Sequence, residues 1–204
     1  MKILINIFLV LAGAMPKIKT GGELMNTLEL TADKMAIMDV VYKYCRAIDR
    51  LDRELLESVF HEDSIHHHGE YKGPSKQFCD FAFDILSTME HTQHLVGNIL
   101  IEVKDNIAWS ESYWQAYHRM AKGKSFEGQG GFIADHNPEI DEDVFVSGRY
   151  IDKLEKRNGE WKIIKRQGVH DWVRFEPASD KGWREGPGPA PGRGDRSDPA
   201  YERD

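Results

Sequence analysis

The stretch YIDKLEKRNGEWKIIKRQGV, residues 150–169, decides how this chain is read. Two runs rich in β-branched and aromatic residues flank Asn158-Gly159, and Asn-Gly readily supplies the positive φ angles of a two-residue hairpin turn. An antiparallel pair is therefore predicted, about Phe145–Lys156 against Trp161–Val173. Further out, His94–Lys104 and Ile107–Met120 read as two more strands joined by the turn residues Asp105-Asn106. Upstream the period changes to that of helices. Thr31 is the expected N-cap of a first helix whose apolar face recurs at Met35, Met38, Val41, Tyr42, Cys45, Ile48 and Asp49. A short helix over Arg53–Phe60 follows, and His61–Glu70 is polar enough for only a short strand or hairpin. Pro74 suits the first position of a third helix, with Phe78, Phe81, Ile85 and Met89 as its core stripe to about Glu90. Helices first and strands afterwards predict an α+β domain, three N-terminal helices packed on one curved antiparallel sheet. Such a cone has an apolar interior and a natural ligand cavity at its open end.

The domain is expected over residues 25–175, and a chain from Met25 to about Arg174 is expected to fold by itself. From residue 176 to 204 the chain holds five of its eight prolines, with many glycines and charges, and reads as a disordered or loosely draped tail. The Arg193-Gly194-Asp195 tripeptide there is too short a match to carry weight. Residues 1–24 read as a leader. Ile3–Ala14 is an apolar run behind Lys2, too short to span a bilayer, and Ala12-Gly13-Ala14 resembles a signal-peptidase site. The preferred reading takes Met25 as the true start, behind Gly21-Gly22-Glu23. With 27 basic against 34 acidic residues and a formal charge of −7, the chain carries no electrostatic footprint for nucleic acid. Two cysteines, Cys45 and Cys79, make no disulfide framework and fit a reducing cytosol.

Polar residues in apolar patterns mark the candidate site. Asp49 occupies the next slot of the first helix's stripe, where it either lines a cavity or finds a partner; it could also reach water or pair with Arg46, Arg50 or Arg53. His94 stands at the entrance to the first long strand. On the last strand Ile164, Arg166, Gly168, His170 and Trp172 share one parity on a face that should be buried, so Arg166 is either a site residue or the partner of a core carboxylate such as Asp49. His66-His67-His68 invites a metal, but adjacent strand residues point apart and no zinc spacing accompanies them. Ala121–Asp143 is long enough to be a lid or an edge excursion, and its acidic residues Glu139, Asp141, Glu142 and Asp143 read as a solvated loop.

Several motifs carry a resemblance. Tyr44-Cys45-Arg46-Ala47-Ile48-Asp49 with Asp52, Tyr71-Lys72-Gly73-Pro74, His91-Thr92-Gln93-His94 with Gly97-Asn98, Gly148-Arg149-Tyr150, and Leu154 through Ile163 occur in that order. Together, over about residues 30–175, they resemble the SnoaL-like branch of the nuclear transport factor 2-like superfamily, nearest the hexachlorocyclohexane dehydrochlorinase, bile acid 7α-dehydratase and scytalone dehydratase relatives. The resemblance implies the α+β cone, no metal or organic cofactor, and an Asp/His pair in a deep apolar cavity. By position it makes Asp49 and His94 the dyad, Tyr44 a dehydratase tyrosine and Arg166 a cavity arginine. Tyr117 and His118 stand near where the bile acid branch has a further aspartate, and join His170 and Trp172 as expected substrate contacts. The Ala121–Asp143 insertion is longer than in the dehydrochlorinase pattern. The implied activity is that of a cofactor-independent lyase, a dehydratase or dehydrohalogenase acting on a hydrophobic cyclic molecule such as a steroid, terpene or polyketide. An isomerase or aldol cyclase using the same base, or a non-catalytic binding module, are the alternatives. Related cones form dimers or trimers through the outer sheet face, so a homo-oligomer is expected.

Overall fold

The computed structural model describes residues 21–126, 131–181 and 192–202, and the chain divides into two units, residues 1–32 and 33–204. In the first unit the described residues are helical and open α1 (Gly21–Asp49). Thr31 is therefore inside the helix rather than at its cap. Its hydroxyl donates to the Thr27 carbonyl at 2.8 Å, the i−4 bond that lets threonine sit mid-helix. Residues 1–20 of the expected leader lie outside the described residues.

In the second unit α1 buries Ile37, Val40, Val41, Tyr44, Cys45, Ala47, Ile48 and Asp49, while Met35 and Tyr42 face solvent. The buried stripe is thus rotated from the expected one, because two overlapping sets of apolar residues both satisfy the three- and four-residue spacing. Both sets contain Cys45, Ile48 and Asp49. After Leu51, with φ of 46°, Asp52 caps α2 (Arg53–Ser58) by accepting from the Leu55 amide at 3.1 Å. The third helix, α3 (Ser75–Leu86), begins directly after Pro74 and packs against the first two strands.

Those strands are β1 (Phe60–His68) and β2 (Tyr71–Pro74); β3 (His91–Lys104), β4 (Ile107–Met120), β5 (Glu142–Arg157) and β6 (Glu160–Pro177) complete a sheet in the order β2-β1-β6-β5-β4-β3. The β5–β6 turn is the Asn158-Gly159 hairpin, with φ angles of 55° and 85°. One pairing departs from the expected antiparallel sheet: β1 lies parallel to β6. The sheet is curved and unclosed.

Two bulges in β6 break its parity. Leu154 pairs Ile163 while Lys153 pairs Lys165, leaving Ile164 over; Ser147 pairs Trp172 while Gly148 pairs His170, leaving Asp171 over. Each extra residue flips the strand's faces. Ile163 and Arg166 are consequently both buried, and Trp172 is turned to solvent at 47% exposure.

Of the four acidic residues read as a solvated loop, Glu139 and Asp141 are exposed, whereas Glu142 and Asp143 open β5 and are held by side chains. Glu142 is buried and receives the His136 imidazole and the Asn137 amide, each at 2.7 Å. Asp143 accepts from Tyr117 Oη at 2.7 Å and Arg119 Nε at 2.6 Å. Within the predicted tail, residues 192–202 have defined partners near the end of α1. Tyr201 Oη donates to Asp52 at 2.9 Å, Arg196 pairs Asp52 at 3.0 Å, Arg50 pairs Asp198 at 3.4 Å, and Arg46 donates to the Ala200 carbonyl at 3.2 Å.

Candidate active site

α1 ends on Asp49 and β3 begins near His94, and the two meet. His94 Nδ1 lies 2.7 Å from Asp49 Oδ1, and the His94 backbone amide donates to Asp49 Oδ2 at 2.8 Å. Both carboxylate oxygens are thereby spent on one residue, which fixes the ring's position and commits Nδ1 to the carboxylate. Nε2 is left for the cavity that His94 lines. The arginines that might have taken Asp49 have other partners: Arg50 pairs Asp198, Arg53 pairs Glu57 and Asp80, and Arg46 donates to the Ala200 carbonyl.

The cavity has a volume of about 130 Å³. Its apolar wall comes from α1 and α3, through Ile48, Phe78, Phe81, Ala82, Ile85, Leu86 and neighbouring Met89, closed on one side by Gly131 and Ile133 of the 121–143 segment. Its polar groups are few: Tyr44, His68, His94, His118, Tyr150 and His170, with Glu70 exposed at the rim. Burial raises the Tyr44 phenol, against a smaller opposing pull from Arg166, and raises the Tyr150 phenol well above its ordinary value. Both stay protonated and able to donate. His118 sits edge-on to His94 with ring centroids 5.4 Å apart and shares a 2.9 Å contact with Thr92 Oγ1 through Nδ1. Burial holds its imidazole well below the usual range, so it is neutral beside the dyad.

Four residues expected at the site are not among those that line the cavity: Asp49, which reaches it only through His94, and Arg166, Tyr117 and Trp172. Arg166 is fully buried and bound in a bidentate pair with Asp152, Nε to Oδ1 at 2.7 Å and Nη2 to Oδ2 at 2.6 Å. Its guanidinium lies 3.9 Å from the Tyr44 ring centroid and 4.3 Å from that of Tyr150. It is the partner of a core carboxylate, but that carboxylate is Asp152 and not Asp49. Tyr117 has the opposite parity to His118 on β4 and is turned to Asp143. Trp172 lies beyond the second bulge of β6.

Sequence reasoning passed over Tyr150 and His68, which line the cavity, and over His66, which is buried in the core beside Phe78. The signal was available in β1, where His66 and His68 share a parity that His67 does not. No cluster of three or more His, Cys, Asp or Glu side chains that could hold a metal occurs among the described residues. His66 stacks on Phe78 at 3.5 Å, fully buried, with neither ring nitrogen hydrogen-bonded among the described residues. Burial therefore holds its imidazole well below the usual range, with nearby His68 and Arg166 adding to the effect. A base depressed in the folded state contributes its full stability above the unfolded value, about pH 6.5, and loses it as pH falls below that. His66→Phe is accordingly expected to raise the unfolding free energy by about 1 kcal/mol at pH 7.5 and by about twice that at pH 5.5. Urea titrations at the two pH values test this; a gain that does not grow on acidification would show that His66 is not held neutral.

A family model for the SnoaL-like domain matches residues 29–167. The chain belongs to that family. This SnoaL-like chain also has the α+β cone of nuclear transport factor 2-like proteins. A scytalone dehydratase-like protein from Novosphingobium aromaticivorans superposes with a TM-score of 0.60 at 20% identity, over 75% of this chain and 93% of that one. A type 2 hexachlorocyclohexane dehydrochlorinase gives 0.58 at 21% identity, over 76% and 94%. The type 3 dehydrochlorinase from Novosphingobium barchaimii gives 0.59 at 17%, over 76% and 95%. At these identities the likeness is one of fold. None of the curated proteins matches this sequence. No helix among the described residues of the SnoaL-like chain is long and apolar enough to cross a membrane.

Proposed function

We propose that the protein is a cofactor-independent lyase that eliminates water or halide from a small hydrophobic ring compound. The observation that carries this reading is the Asp49–His94 pair, whose histidine lines an apolar cavity. Asp49 holds the proton on Nδ1, so the Nε2 lone pair faces the substrate and takes a proton from carbon. The C–H electrons form the double bond as the leaving group departs with its own pair. Asp49 stabilises the imidazolium meanwhile, as the carboxylate of a serine-hydrolase triad does. Returning that proton to the departing group releases water or hydrogen halide and restores the dyad. Tyr44 and Tyr150 supply hydroxyl donors to a substrate oxygen. A volume of about 130 Å³, near the ~150 Å³ of an engineered cavity that holds benzene, suits one ring better than the fused rings of a steroid.

Arg166, neutralised by Asp152, has no part in this scheme. The exposed apolar residues Leu95, Leu100, Trp109, Tyr113 and Ile151 on the outer sheet face support a homo-oligomer. The free, buried Cys45 and Cys79 suit a reducing cytosol. Incubation with hydroxylated and halogenated cyclic compounds, followed by mass spectrometry, tests the reaction. Loss of one molecule of water or hydrogen halide is expected. A product of unchanged mass would make the protein an isomerase built on the same base, and tight binding without turnover would make it a binding module.

A further inference from the structure

The strongest unexplained feature of the cavity is His68. It closes β1, pairs in register with Gly168 of β6, and is followed by Gly69 in the left-handed region at φ of 55°. Its ring rests on the Gly168 backbone so closely that a Cβ at residue 168 would collide with His68 Nδ1. Gly168 is thus the residue that makes room for this imidazole. Nδ1 is buried without a hydrogen-bond partner among the described residues, and the ring lines the cavity. The Trp114 ring centroid is 6.2 Å from that of His68 and 6.3 Å from that of His94. His68 and His94 line the same cavity, so both imidazoles are open to a ligand held there. No lysine or arginine lines the described cavity.

We propose that His68 is a second substrate-contacting residue, hydrogen-bonding through Nε2 to an uncharged oxygen, a hydroxyl or carbonyl, on the ring compound whose C–H proton His94 removes. The proposal deepens the elimination reading and rests on it for the role of His94. Nδ1 is packed against the Gly168 backbone, so Nε2 is the ring nitrogen left to meet a ligand. Burial, helped by His170 edge-on at 4.9 Å, lowers the His68 imidazole to about 3, so it is neutral at working pH. A neutral imidazole offers one donor or acceptor to a hydroxyl or carbonyl and no charge to an anion. With no lysine or arginine on the described wall, a carboxylate substrate would lack a countercharge. The substrate class is narrowed to uncharged, oxygenated rings.

Binding by the full chain tests this without turnover, using phenol, its apolar isostere toluene, and benzoate as the anionic probe, titrated calorimetrically. Phenol is expected to bind more tightly than toluene, and benzoate not to compete. His68→Phe should weaken phenol by about three- to tenfold, the range of one neutral hydrogen bond, and leave toluene unchanged or tighter. Gly168→Ala, which pushes the imidazole off its seat but keeps it, should weaken phenol likewise. In the parent protein the His68 ring ¹⁵N resonances should move on adding phenol and not on adding toluene, which holds whether or not either variant folds. Equal affinity for phenol and toluene, binding of neither, tight benzoate binding, or unmoved His68 resonances would overturn the proposal. Asp49→Asn should keep the phenol preference, so a failed lyase assay and a failed His68 assignment are told apart.

Discussion

Asp49→Asn is expected to lower turnover by about two to four orders of magnitude, the range for lost acid–base function, and His94→Ala to do so by a similar factor. The geometry says why so conservative a change should cost so much. Asp49 accepts two hydrogen bonds from one residue, the His94 backbone amide on Oδ2 and the imidazole Nδ1 on Oδ1. Asparagine has one acceptor oxygen. The backbone amide can only donate, so that oxygen turns to it and the asparagine NH₂ faces Nδ1. Nδ1 must then accept, which puts the imidazole proton on Nε2 and removes the lone pair from the cavity. The double variant should be hardly worse than either single one, because the two side chains act as a unit. Single-turnover rates of the four proteins check the cycle, and ¹⁵N shifts of His94 check the tautomer. Additive losses, or an unchanged tautomer in Asp49→Asn, would mean that the pair does not work as a dyad.

The second large effect is on stability. Arg166→Met is expected to lower the unfolding free energy by about 3–5 kcal/mol, the cost of leaving one member of a buried ion pair without the other. Asp152 is 1% exposed and its two oxygens are both held by Arg166, so it would remain a carboxylate in the core. Adding Asp152→Leu should restore most of the loss, since an apolar pair of similar volume avoids the desolvation of two charges. Denaturant unfolding of the parent protein and the two variants measures this. If Arg166→Met kept full stability and abolished turnover, the arginine would belong to the chemistry after all.

The hairpin at Asn158-Gly159 was legible because two residues settle their own backbone angles with little help from the rest of the fold. Asp49 was legible for a related reason: it breaks an apolar stripe, whichever of the two overlapping stripes is chosen. His94 needed the family resemblance, since a histidine at a strand entrance carries no pattern of its own. The partner of Arg166 was not legible. Its position depends on a bulge at Ile164, and bulges leave no period in a strand; two residues of the same nominal parity, Arg166 and Trp172, end up on opposite sides because a second bulge at Asp171 separates them. His66 and His68 were read as a run of three and weighed only against metal chemistry, although strand alternation alone separates them from His67. The parallel contact of β1 with β6 lies beyond local patterning altogether, because about a hundred residues intervene.

That parallel contact sets the order in which the molecule can be made. β1 forms its own hairpin with β2 and supports α3, yet its other edge is satisfied only by residues 163–168 of β6. During synthesis the β1–β2 hairpin, with Ile65 and Phe60, must wait while β3, β4 and β5 emerge and pair among themselves as a meander. Until the stretch around Arg166 has left the ribosome, β1 presents an open strand edge, and Asp152 on β5 stands without its guanidinium. An unpaired edge held open for so long is the kind of surface that recruits chaperones or a second nascent chain. Completion of the sheet, burial of the Arg166–Asp152 pair and seating of His68 on Gly168 therefore all depend on the last strand to be made.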